Sequence, residues 1–218
     1  MLKKIFFLSL FVFYAFCGAA FALDPDEMMD KVISKYGFRA FSASFVQTTS
    51  LKSMDMTDKA SGYIIFKPPY KMCWKYYTPE VQEAVSDGKT FWIYNEKDNQ
   101  VTTGKAEAFF KNGRGGSFLT DIKNLRKNFE ITPEGKIKDN IYRFRLLPVK
   151  ENPNISSVYL LISAKSLDIV GISTYNAYDD ENSLEFKNVK LLNDIPDSEF
   201  DFIIPKGAEV IRYEEGAE

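Results

Sequence analysis

Few residues of this 218-residue chain are equipped for bond-making chemistry. It contains no histidine, which removes the usual general base, the commonest metal ligand and every Ser-His or Cys-His nucleophile pair. The carboxylates of Asp179-Asp180-Glu181 and Glu214-Glu215 could in principle ligate calcium or act as acid and base. They lack the spacing of a calcium loop and fall in turn and tail contexts, so they read as solvated charge. Gly113-Arg114-Gly115-Gly116 shares only its glycines with a phosphate loop. It lacks the following Lys-Ser/Thr and reads as a flexible hinge. Cys73 stands in the apolar stretch Met72-Cys73-Trp74, where a small buried hydrophobe is expected rather than a reactive thiol. The reading is a protein that is not an enzyme, with no metal site and no cofactor.

The N-terminus has the pattern of an export signal. Lys3 and Lys4 precede the apolar run Ile5 to Phe16, and Ala20-Phe21-Ala22 supplies small residues at a cleavage site. Residues 1–22 are therefore expected to be a cleaved signal peptide, and 23–218 a single domain in the periplasm. Phe16, before Cys17, is too large for a lipobox. Cleavage moves the net charge from −2 to −4, with 26 basic and 30 acidic residues remaining. It leaves Cys73 without a disulfide partner. A mildly acidic chain has no electrostatic footprint for nucleic acid.

The remaining residues must build a scaffold. Aromatic residues make up 15% of the chain, which points to packed strands. Asp24 can cap a helix, with Pro25 at its first position, and Met28, Met29, Val32, Ile33 and Tyr36 give it one apolar face. Phe41, Ala43 and Phe45 then alternate with Ser42 and Ser44 as a strand does. Gly62–Lys67, Met72–Tyr77, Val81–Val85 and Phe91–Tyr94 follow as strands, with Asp87-Gly88 as a hairpin turn. A polar stretch, Lys52–Lys59, is expected to interrupt pairing. Phe118, Leu119, Ile122, Leu125 and Phe129 form a helical stripe. Strands resume after Pro133-Glu134-Gly135-Lys136, ending with Phe200–Ile204. About ten or eleven strands joined by short turns predict one curved antiparallel sheet.

The strands at 62–67 and 91–94 are apolar on both faces, so one face needs a cover other than water. The N-terminal helix and the 106–129 segment are the candidates. The pattern alone favours a packed core over a lipid cavity. It also leaves the inward face of each strand open, because a slip of one residue reverses them all.

From Phe41 onward the chain resembles the outer-membrane lipoprotein carrier family, LolA. The resemblance rests on Phe41-Ser-Ala-Ser-Phe-Val-Gln-Thr, Gly62-Tyr-Ile-Ile-Phe-Lys-Pro-Pro, Trp74-Lys-Tyr and Pro79. The block Val85-Ser-Asp-Gly-Lys-Thr-Phe-Trp-Ile-Tyr-Asn, then Gln100-Val101, and the ending Phe200-Asp-Phe-Ile-Ile-Pro-Lys-Gly-Ala-Glu-Val complete it. It implies a mainly β fold with short helices, an incomplete β-barrel under an α-helical lid. It implies a carrier, expected as a monomer, that takes lipoprotein acyl chains from an inner-membrane ABC transporter to an outer-membrane receptor. A lipid- or lipopeptide-binding paralogue or sensor on the same fold is the alternative. By position, Met72 matches a partner-touching residue at the mouth, Trp74 a cavity aromatic, and Phe118, Leu119 and Ile122 the lid. With them, Tyr76, Trp92 and Phe144 are expected to line or close the apolar cavity. Where the family commonly has a lid-latching arginine this chain has Pro68, preceded by Lys67, which becomes the latch candidate.

Overall fold

The computed structural model describes residues 24–111, 119, 121–138, 140–152 and 154–213. Expectations about the signal peptide, Phe118, Gly113–Gly116 and Glu214-Glu215 lie outside the described residues.

The first element is the expected helix, α1 (Pro25–Tyr36). The Asp24 carboxylate accepts hydrogen bonds from the backbone N–H groups of Asp26 and Glu27 at 2.9 and 3.3 Å, satisfying donors that a helix start leaves open. Met28, Met29, Val32 and Tyr36 are buried along one stripe.

Among the described residues twelve strands follow and form one sheet. They are β1 (Ala40–Leu51), β2 (Met56–Lys67), β3 (Lys71–Thr78), β4 (Gln82–Asp87), β5 (Thr90–Asn95) and β6 (Gln100–Lys105) in the first half. After two short helices, α2 (Ala106–Lys111) and α3 (Leu125–Asn128), come β7 (Phe129–Lys138), β8 (Ile141–Pro148), β9 (Ser157–Ser163), β10 (Ile169–Tyr175), β11 (Glu181–Leu192) and β12 (Glu209–Arg212). Their spatial order is β12-β6-β5-β4-β3-β2-β1-β11-β10-β9-β8-β7. The sheet is open, with β12 and β7 as its edges. The mainly β class with a helical cover is the one the sequence predicts.

The Asp87-Gly88 hairpin is present. Gly88 has φ +94°, and the Asp87 carboxylate accepts from the N–H groups of Lys89 and Thr90, each at 2.7 Å. Four expectations are corrected. Lys52–Lys59 does not end pairing: a 3-10 turn at Lys52–Met54 reverses the chain, and β2 runs from Met56 through Lys59, which pairs with Thr48. The stripe ending at Phe129 is not one helix. Residues 121–124 are 3-10 helix, α3 is a single turn, and Phe129 opens β7. Pro133 and Gly135 are not a turn before a strand but lie inside β7, where register slips. Proline is tolerated there because β7 is an edge and needs no donor on its outer side. Phe200–Ile204 is not a strand: a 3-10 turn at Asp197–Phe200 leads into an unpaired crossing, and the last strand is β12, parallel to β6.

Both faces of the sheet are covered. The larger core places α1, α2, Leu119, Ile122 and Leu125 on residues of β1, β2, β3, β5 and β8–β11. The smaller core lies on the opposite face, where Ile195 and Phe200 pack with Ile65, Cys73 and Val85. The double-sided hydrophobicity of β2 follows. Ile64 and Phe66 point to the first core, and Ile65 points to the second.

Candidate functional site

The face under the helices carries a continuous row of aromatic rings. Alternation along β1 puts Phe41 and Phe45 on this face, and register brings Phe66 opposite Phe41. On the next strand, Met72 is opposite Phe66 and Trp74 is opposite Ile64. The row runs from Tyr36 to Phe41 (centroids 5.1 Å apart), Phe66 (5.3 Å), Trp74 (5.9 Å) and Tyr76 (6.0 Å), with Phe45 packed against both Trp74 (5.3 Å) and Tyr76 (5.2 Å). Most contacts are edge-to-face, the arrangement the ring quadrupole favours. Gly62 makes room for the row: a Cβ there would lie 2.8 Å from the Phe45 ring and 1.9 Å from the Lys75 carbonyl oxygen.

Toward the β1–β2 turn the same face becomes polar. The Tyr76 hydroxyl donates to Gln47 Oε1 at 2.8 Å, and Gln47 Nε2 donates to Thr49 Oγ1 at 3.2 Å. Burial pushes the Tyr76 phenol up to about 12, so it remains a neutral donor. A pocket of about 280 Å³ opens here, lined by Gln47, Ala60, Tyr76, Gln82 and Asn95 among others. Gln82 is the register partner of both Tyr76 and Asn95. The polar groups therefore surround the open end of an apolar row.

The cover has two parts that are held differently. The last turn of α1 is fastened to the β9–β10 turn. Lys35 Nζ donates to Asp168 at 2.7 Å and to the Ser166 carbonyl at 2.7 Å, and the Tyr36 hydroxyl donates to Asp168 at 3.1 Å. The N–H of Ile169 donates to the Tyr36 oxygen at 3.3 Å. Burial opposes ionisation of Asp168, but the Lys35 hydrogen bond and its companions outweigh it and hold the carboxyl below its ordinary value. The 121–128 segment is pinned to α1 from outside by Arg126, whose Nε donates to Asp30 at 2.8 Å. That pair is solvent-exposed and contributes at most about 1 kcal/mol. Phe110 of α2 stacks on Tyr70 at 5.5 Å, and Phe109 packs on Phe91 at 4.7 Å.

The residues expected at the site divide. Met72, Trp74, Phe144, Leu119 and Ile122 are buried in the larger core, and Tyr76 packs against it. Met72, expected at the mouth in contact with partners, is instead 1% exposed. Trp92 is not on this face. It belongs to the smaller core and stacks on Phe202 at 5.9 Å, because alternation along β5 sends Phe91 to one core and Trp92 to the other. Lys67 does not latch the helical cover. Its Nζ donates to the Ile195 carbonyl at 2.8 Å and to Asp197 at 2.6 Å, fastening the C-terminal crossing on the far face. Phe41, Phe45 and Phe66 are central to the row but were not among the expected site residues. The alternation of Phe41, Ala43 and Phe45 signalled a shared face, while only cross-strand register joins them to Trp74.

Cys73 is buried on the far face, and burial pushes its thiol up to about 11. It is the small buried hydrophobe its neighbours predict. Among the described residues no cluster of three or more His, Cys, Asp or Glu side chains could hold a metal ion. No described helix is long and apolar enough to cross a membrane.

The comparisons with known proteins agree with this architecture. An outer-membrane lipoprotein carrier protein from Cupriavidus pinatubonensis is 26% identical over 207 residues, 94% of each chain. One from Ralstonia nicotianae is 30% identical over 153 residues, 70% of this chain and 69% of its own. An uncharacterized conserved protein from Thermus thermophilus has the same fold, with a TM-score of 0.56 at 14% identity over 86% of this chain and 98% of its own. The family model for the outer membrane lipoprotein carrier protein LolA matches residues 36–203, a span from the end of α1 through the aromatic row to the crossing segment, and the chain belongs to that family.

Proposed function

We propose that this protein is a periplasmic carrier that shelters the acyl chains of lipoproteins against the aromatic row, in exchange for its helical cover. It receives them from an inner-membrane ABC transporter and releases them to a receptor at the outer membrane. It acts as a monomer and makes or breaks no covalent bond. The observation that supports this reading best is the combination of a continuous aromatic face with a cover fastened partly by exposed charge pairs.

The energetics fit reversible exchange. Lifting the 121–128 segment uncovers apolar surface, and an acyl chain re-covers it. Each methylene taken from water is worth about 0.8 kcal/mol, so a dozen are worth roughly 10 kcal/mol. The bound and empty proteins thus differ in how the face is covered rather than in whether it is covered. Transfer then runs downhill in affinity, set by which partner favours the open cover.

Native mass spectrometry of the mature protein mixed with a triacylated lipopeptide tests this. A one-to-one adduct that excludes the unacylated peptide supports the carrier. Absence of any adduct, with the protein folded, overturns it.

A further inference from the structure

The aromatic row contains one group that an apolar face does not need. Trp74 is 3% exposed, and its Nε1–H has no hydrogen-bond partner among the described residues. Its ring neighbours are Phe45, Phe66 and Tyr76. The first two have no oxygen to offer, and the Tyr76 hydroxyl, which donates to Gln47, accepts nothing from Trp74. Leaving a buried donor unpaired costs its full desolvation penalty, and such groups are rare enough to require an explanation. A phenylalanine would fill an aromatic position without that cost. The location is informative. Trp74 precedes Tyr76 on the same face of β3, about 7 Å inward from it at the rise of a strand, and Tyr76 lines the polar pocket.

We propose that the Trp74 indole N–H donates to a carbonyl oxygen of the cargo's acyl linkage. This rests on the carrier reading and adds an orientation to it. The hydrocarbon lies inward along Phe45, Phe66 and Phe41, the carbonyl meets Trp74, and the polar part of the cargo leaves past Tyr76, Gln82 and Asn95. A carbonyl oxygen suits the position because it is a pure acceptor, so binding satisfies Trp74, and an ester linkage brings no further donor with it. In the empty protein the unpaired N–H raises the free energy of the closed state, which favours loading.

The two tryptophans make the test internally controlled, since Trp92 lies on the opposite face. The ¹⁵N-labelled mature protein is titrated with three lipopeptides of equal chain length. One has ester-linked chains only, one has an amide-linked chain with ether linkages elsewhere, and one has no acyl carbonyl. The Trp74 indole proton should move downfield with the ester probe, the amide probe or both, identifying which carbonyl is read. It should not do so with the carbonyl-free probe, and Trp92 should move with none. Trp74→Phe should bring the affinity ratio of carbonyl-bearing to carbonyl-free probe to about one, from about 2- to 10-fold in the parent, the span of a single net hydrogen bond. If all three probes bind and the Trp74 signal responds equally to them, the carbonyl contact is overturned while the carrier stands. If none binds, both readings fail.

Discussion

Trp92 and Phe202 stack with their ring planes 25° apart and their centroids 5.9 Å apart, on the face of the sheet that the helices do not cover. This pairing explains why β5 is apolar on both sides. Phe91 packs beneath the helical cover, and Trp92 packs beneath the chain that crosses from β11 to β12. Phe202→Ala is expected to lower stability by about 1–3 kcal/mol, less than for a fully enclosed phenylalanine, because Phe202 is only partly buried. Lipopeptide affinity should not change. Denaturant unfolding and a binding titration check the two halves separately.

Lys67 and Lys71 both reach Asp197, each at 2.6 Å. Hydrogen bonds from the two ammonium groups hold its carboxyl at about 2, against an ordinary value of 3.8. A depressed carboxylate favours the folded state above the unfolded value, and that contribution is lost as pH falls from about 4 toward 2. An NMR titration of Asp197 should give a midpoint near 2, returning toward 3.8 in the Lys67→Ala/Lys71→Ala double variant. Because Asp197 is exposed, the double variant should retain its fold at neutral pH.

Arg126 joins the 121–128 segment to Asp26 and Asp30 of α1 across an exposed surface. Arg126→Ala is expected to change stability by less than about 1 kcal/mol while raising the rate of lipopeptide uptake. The cover then opens with one fastening fewer. Stopped-flow fluorescence with a labelled lipopeptide measures the rate. An unchanged rate would place the opening motion elsewhere in the cover.

Gly62 sits under Phe45 where no side chain fits. Gly62→Ala must displace both the Lys75 backbone and the Phe45 ring, and is expected to cost about 1–3 kcal/mol. Shifting Phe45 also disturbs its contacts with Trp74 and Tyr76, so near-ultraviolet circular dichroism should change along with the melting temperature.

How much of this protein was legible beforehand depends on the range of the interactions involved. The α1 cap at Asp24, the Asp87-Gly88 hairpin, the strand alternation of Phe41 and Phe45 and the burial of Cys73 follow from neighbours a few residues apart. Local chemistry determined them, as it determined the mainly β class and, with no histidine in the chain, the lack of the commonest catalytic partners. The tertiary structure decided what local patterning leaves degenerate. Trp74 and Trp92 are both aromatic residues in apolar strands, yet they face opposite cores, because the side-chain period of two fixes alternation within a strand and only register fixes which alternate faces inward. Lys67 has the same ambiguity: its reach and charge were evident, but its partner Asp197 lies 130 residues away. The crossing segment, apolar and strand-like at Phe200–Ile204, became a cover instead because β12 took the sheet edge beside β6. That choice is made by competition for a hydrogen-bonding edge, which no local window contains.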